Sequence, residues 1–304
     1  SSEWTSENPF GTQPAKLRIE ALMSVAPYDS PDAVTVAGFS DSNVFGPERR
    51  AAEGLSFDFR IATDQMKAGT ESGLLTARNT GKTPRNASWA RLDRAFEPWL
   101  DLSRNKALGV WVYGDNQGEL LGFRLESPRH ISYGAAADRY ITVDFTGWRY
   151  FELVETESAR WSDHVWNDQK WLYNVYRETI DFGHVESLGI WMNDIPSGKT
   201  AECRISPVKA LPMIENVIRN PSVAINGKTI VFPVEMTSGS YLEFNSPEDC
   251  MLYSPKGEVL AKVTPKGPAP SLRQGRNTVK FTCGSGAKLT PRANVTVISR
   301  GEPL

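Results

Sequence analysis

Cysteine is scarce in this chain, and a strong charge bias, long apolar runs and catalytic signatures are missing from it. Only Cys203, Cys250 and Cys283 occur among 304 residues, and none forms a C-x-x-C pair. A structural zinc site is therefore not expected. Cys250 and Cys283 can be read as a cross-strand disulfide or as two buried thiols, and their spacing does not choose between these. No stretch of about 18 consecutive apolar residues exists, so no membrane-spanning helix is expected. The first ten residues, SSEWTSENPF, show neither the basic start nor the apolar stretch of a signal peptide. A mature or trimmed chain would look the same. The formal net charge is -2, without the basic excess of a nucleic-acid binder. A Ser-His-Asp motif, a phosphate loop, a dinucleotide fingerprint and an H-E-x-x-H pattern are all absent, which disfavours the chemistries that need them.

What is present reads as strands joined by turns. The chain has 24 Gly and 20 Pro, with 40% hydrophobic and 23% charged residues, a balance that fits a folded all-β protein. Strands are expected at 55–61, 108–113, 120–126, 140–145, 150–154 and 188–193, with Gly114–Gly118 as a hairpin turn between the second and third. Helical periodicity is weak, with one short candidate at 168–177. All nine tryptophans lie between Trp4 and Trp191. After Leu211-Pro212 the composition turns to Lys, Pro, Gly and Val, so a domain of residues 1–210 and a second of 211–304 are expected. The second carries 11 Lys+Arg and 7 Asp+Glu, leaving 23 and 29 for the rest. Its short strands include 222–225 and 229–232 flanking Asn226-Gly227, a strong hairpin signal. Together they suggest a small Ig-like sandwich without chemistry of its own, acting as a spacer or docking module.

Strand alternation sorts the larger domain into two sets of side chains. One set is aliphatic or Phe: Phe57, Phe59, Ile61, Val110, Val112, Leu121, Phe123, Leu125, Ile190 and Met192. The other repeats aromatic, acidic, basic and amide groups, which suits a polyhydroxylated ligand: rings stack on sugar faces, and Asp, Glu, Arg and Asn bind paired hydroxyls. The expected ligand-binding residues are Trp111, Tyr113, Arg124, Glu126, Trp191 and Asn193, read as one face. Trp166 joins them from the long aromatic connection at 161–184. The bland reading is that these rings pack under a covering loop.

Three segments carry a resemblance: ALGVWVYGDNQGELLGFRLES (107–127), YITVDFTGWRYFELVE (140–155) and ESLGIWMNDIPSGKTAECRISPVKAL (186–211). Within them Gly114-Asp115, Phe145-Thr146-Gly147-Trp148 and the strand at 188–192 resemble the galactose-binding-like jelly rolls, in particular carbohydrate-binding modules of the family 11 and family 30 type. Leu100-Asp101-Leu102-Ser103 adds to the match, which covers roughly residues 50–210. The resemblance implies an all-β fold, a jelly-roll β-sandwich followed by the Ig-like one. It implies a secreted, periplasmic or cell-surface module that binds oligo- or polysaccharide without catalysis, with further domains of a larger enzyme as possible partners. It gives Asp115 and Trp148 structural roles, as a turn and a core aromatic. A structural Ca²⁺ near a sheet edge is also implied, with Glu20, Asp41, Asn43 and Glu202 as candidate ligands.

Two other readings remain open. A jelly-roll polysaccharide hydrolase needs two carboxyls flanking a bond, and Asp58, Glu126, Asp144 and Glu152 are candidates. A lyase needs a base with a charge-neutralising partner, for which His164 with Arg177, or Tyr113 with Arg124, can be cast. The third reading is a structural or adhesive surface protein.

Overall fold

The computed structural model describes residues 2–40, 44–46, 50–67, 70–130, 133–154, 180–285 and 289–299. It divides into two compact units, Pro27–Pro212 and a smaller one made of Ser1–Ala26 with Met213–Leu304. Among the described residues every regular element is a strand except one short 3₁₀ turn, Arg85–Ala87.

The larger unit is a jelly-roll sandwich. Its first sheet runs Leu55–Lys67, Thr70–Asn79, Thr200–Ile205, Ala107–Asp115, Val208–Leu211, Val34–Ala37, with Thr146–Leu153 along the free side of Ala107–Asp115. Its second sheet runs Tyr133–Thr142, Leu120–His130, Val185–Asn193, Trp89–Leu100, Arg50–Ala51. All these pairings are antiparallel. One core fills the space between the sheets. Val110 and Val112 enter it from the first, and Leu121, Phe123, Leu125, Ile190 and Met192 from the second, all at 0% exposure. Alternation therefore picks out these inward side chains correctly.

The segment from Gly114 to Gly118 is not a hairpin turn, as its residue types suggest. Ala107–Asp115 pairs within the first sheet and Leu120–His130 within the second, so the segment is an arch between sheets. Positive φ at Asn116 and Gly118 reverses the chain sharply. Four hydrogen bonds then fix the crossing. The Asp115 carboxylate accepts from the Gln117 and Glu202 amides at 3.0 and 2.7 Å. The Val143 amide donates to Glu119 O at 2.9 Å, and Arg85 donates to Gly118 O. Asp115 is thus the turn residue that the resemblance implies. Trp148 is not a core aromatic: it stands half-buried on the outer face, edge-on to Tyr113 at 5.6 Å.

In the smaller unit two five-stranded sheets enclose a separate core. The hairpin at Asn226-Gly227 forms as expected, with Ser222 opposite Val231 and both turn residues at positive φ. The expected first domain of residues 1–210 needs correction at its start. Ser2–Asn8 pairs with Gly275–Ser285, and Lys16–Leu22 lies between Tyr241–Phe244 and Arg292–Ile298. Leu17, Ile19 and Ala21, alternating and apolar, fill that second core at 0–1% exposure. All three cysteines are free thiols, Cys203 and Cys250 buried and Cys283 partly so.

Candidate functional site

The outward side chains expected to form one face stand on two. Trp111 and Tyr113 leave the first sheet, whereas Arg124, Glu126 and Trp191 leave the second, with the whole core between them. Alternation tells inward from outward, but both sheets share that pattern.

On the first sheet the rings pack on each other. Trp111 meets Tyr150 at 5.1 Å, and Tyr150 meets Tyr28 edge-on at 6.0 Å. The Lys67 ammonium caps Trp111 at 3.8 Å, and that of Lys209 caps Tyr28 at 4.3 Å. Tyr28 donates to Pro207 O at 2.6 Å. The Tyr150 hydroxyl is pushed well above its ordinary pKa, first by burial and then by the Glu152 charge.

The second sheet combines a ring with converging polar groups. Trp191 projects from Val185–Asn193 between Arg91 on one neighbouring strand and Arg124 on the other, their guanidinium carbons 4.7 and 4.8 Å from the ring centre. Two glycines make room for it. A Cβ at Gly189 would stand 3.3 Å from Trp191 Nε1 and 3.0 Å from Asp93 Oδ1, and one at Gly122 would stand 3.3 Å from Trp191 Cβ. The indole therefore lies along its own strand. Trp89 packs beside it at 5.6 Å.

Carboxylates fix the arginines. Arg124 forms a two-pronged pair with its cross-strand partner Asp138, at 2.6 and 2.9 Å. Burial alone would lower the pKa of this guanidinium, but the bond to Asp138 and its charge outweigh that and raise it. Arg91 holds Asp93 at 2.6 Å. Glu126 accepts from Ser187 Oγ at 3.0 Å, while its Oε1 lies 3.9 Å from each guanidinium. Donors and acceptors are thus set in a row beside one aromatic ring.

Several expected residues leave the site. Asn193 is 1% exposed, sealed at its strand's end between Leu120 and Trp89, and cannot face a surface ligand. Tyr113 and Arg124 stand on opposite sheets and cannot act as a base and its partner. Asp58 and Glu152 occupy strands four steps apart in the first sheet, roughly 19 Å at the usual strand spacing; Glu126 lies on the other sheet. These carboxyls do not make a pair flanking one bond. His164, Trp166, Arg177, Asp41, Asn43 and the helical candidate at 168–177 lie outside the described residues. Glu20 belongs to the smaller unit and Glu202 to the larger, where it accepts from Thr76 Oγ1 at 3.2 Å. Among the described residues no group of three or more His, Cys, Asp or Glu could hold a metal ion.

Trp89, Arg91 and Asp93 stand around Trp191 in this candidate site and are not singled out by the sequence. Their signal is nonetheless present: Ala90 and Leu92, both at 0% exposure, alternate with them, the pattern of a half-buried strand.

No protein-family model matches the chain, and no curated protein does. Solved structures similar to part of it include a family 11 carbohydrate-binding module of a cellulosomal cellulase of Clostridium thermocellum. That match has 12% identity and a TM-score of 0.41, over 61% of this chain and 98% of that one. A family 30 carbohydrate-binding module matches at 13% identity and a TM-score of 0.34, over 66% and 88%. An exo-beta-agarase matches at 11% identity and a TM-score of 0.38, over 59% of this chain and 24% of that one.

Proposed function

We propose that the larger unit is a non-catalytic carbohydrate-binding module whose site is the outer face of the sheet carrying Trp191. The observation that carries this reading is the indole lying over Gly189 with the half-buried Arg91, Asp93 and Glu126 beside it, while the buried Arg124, held by Asp138, fixes its other side. A sugar ring presents C–H groups on its face and hydroxyls at its rim. Trp191 suits the face, and the paired carboxylates and guanidiniums suit the hydroxyls. Both arginines are neutralised by carboxylates, which favours a neutral glycan over an anionic one. Of the carboxyls named for hydrolysis, Asp58 and Glu152 lie far apart on one sheet, Glu126 on the other and Asp144 in an exposed connection, which supports binding without cleavage. A secreted or surface location and attachment to a larger carbohydrate-active protein fit this role and remain part of the proposal.

The test is affinity electrophoresis through gels holding a panel of neutral polysaccharides, with reducing ends and unsaturated products measured in the same incubations. Retardation by at least one glycan without new products is expected. Product release would make the protein an enzyme. No retardation across the panel would favour a structural role.

A further inference from the structure

The strand Trp89–Leu100 carries a second tryptophan at its other end, and it is held in an unusual way. Trp99 is 52% exposed and, among the described residues, is the one aromatic in the set of large exposed apolar side chains, a costly position for an indole. A break in the ladder puts it there. Ala95 faces Ser187 and Leu100 faces Val185, so the four residues 96–99 on one strand stand against Glu186 alone on its partner. Within this bulge Phe96 turns inward at 6% exposure and anchors it, while Trp99 is carried outward. Bulges characteristically re-aim a side chain in this manner.

The ring is also braced. His184 meets it edge-on, with centroids 5.8 Å apart and planes at 89°. His184 Nδ1 lies 2.7 Å from Asp181 Oδ2, and Asp181 Oδ1 accepts from the Gly183 amide at 2.9 Å. The Asp181 amide in turn donates to Ser127 Oγ at 3.0 Å, tying the loop to Leu120–His130. A large ring fixed in water by a built support is preorganised for a flat partner.

The two tryptophans stand on neighbouring strands of the second sheet, toward opposite ends of their pairing. Trp191 faces Arg91, Gly189 faces Asp93 and Arg124, and Ser187 faces Ala95 and Glu126. Val185, opposite Leu100 next to Trp99, is six residues from Trp191, about 20 Å along an extended strand. We propose that Trp99 is a second stacking platform for the same ligand, so that the sheet binds an internal stretch of a polysaccharide chain several sugars long and prefers long chains to short ones. This rests on the glycan reading of the Trp191 face.

Calorimetry on the whole protein tests it, using a hexasaccharide and a trisaccharide cut from a polysaccharide that retards it. Trp99→Ala removes an exposed ring, so its thermal midpoint stays near the wild-type value. It is expected to weaken the hexasaccharide about tenfold, equivalent to ~1.4 kcal/mol, and to leave the trisaccharide unchanged. His184→Ala, which removes the brace, weakens the hexasaccharide in the same direction. Unchanged hexasaccharide affinity in Trp99→Ala, with a loss in Trp191→Ala, overturns the second platform and keeps the glycan face. Equal losses for both lengths also overturn it. Unchanged affinity in Trp191→Ala overturns the glycan face, and the second platform with it.

Discussion

Both carboxylate oxygens of Glu119 are sealed inside the larger unit, and the residue is 0% exposed. It sits at the inter-sheet arch and follows the inward alternation of Leu121 and Phe123. Burial first, and then the neighbouring Asp115 charge, push its pKa up to about 8. Below pH ~4.5 the folded and unfolded chains both hold this proton. Between there and about pH 8 the unfolded chain releases it and the folded one does not, so stability falls as pH rises. Above that window the loss levels off, at up to ~5 kcal/mol. Glu119→Gln is expected to match the wild type in urea unfolding at pH 4 and to exceed it progressively towards pH 9. Parallel curves would contradict this account. At the same scale, Gly189→Ala sets a methyl against Asp93 Oδ1 and the Trp191 indole. It is expected to lower glycan affinity several-fold with a stability loss of ~1–3 kcal/mol, read by calorimetry and thermal unfolding together. Trp191, Arg124 and Glu126 are legible as outward residues because alternation is a local property. The burial of Glu119 is not, because it depends on which sheet the chain enters next.

At the scale of strands, the pairing of Arg124 with Asp138 ties Leu120–His130 to Tyr133–Thr142 through a charge pair almost wholly out of water, at 6% and 1% exposure. Removing one partner strands the other charge. Asp138→Ala is expected to cost ~3–5 kcal/mol, seen as a lower urea midpoint at unchanged slope. A loss below about 1 kcal/mol would show that the pair is not sealed. Strand positions are largely readable from period-two alternation, and the Asn226-Gly227 turn from its residue types. The arch at Gly114–Gly118 reads as a hairpin for a physical reason. Turn-forming residues reverse the chain, but long-range pairing decides whether the next strand joins the same sheet. The same ambiguity reads Trp111 and Tyr113 as sharing a face with Trp191, although they leave the other sheet.

At the scale of the whole chain, the smaller unit is assembled from both ends of the sequence. Lys16–Leu22 bridges two strands of one sheet, and Ser2–Asn8 borders the other. A chain of residues 213–304 is therefore expected to lack a cooperative unfolding transition, whereas residues 27–212 retain one and keep their glycan affinity. Circular dichroism with thermal melting distinguishes these outcomes. The change of composition near Leu211-Pro212 marks one boundary, but nothing in composition separates residues 1–26 from residues 27–212. Their allegiance is set by pairing with strands more than 200 residues away.

The most direct test of the glycan face compares Trp191→Ala with Trp111→Ala, one ring on each outer face, by calorimetry against a polysaccharide that retards the wild type. A loss of about tenfold or more in Trp191→Ala, with Trp111→Ala at the wild-type value, is the expected result. The reverse pattern would move the site to the opposite sheet, and unchanged affinity in both would contradict the account of how this protein holds its ligand.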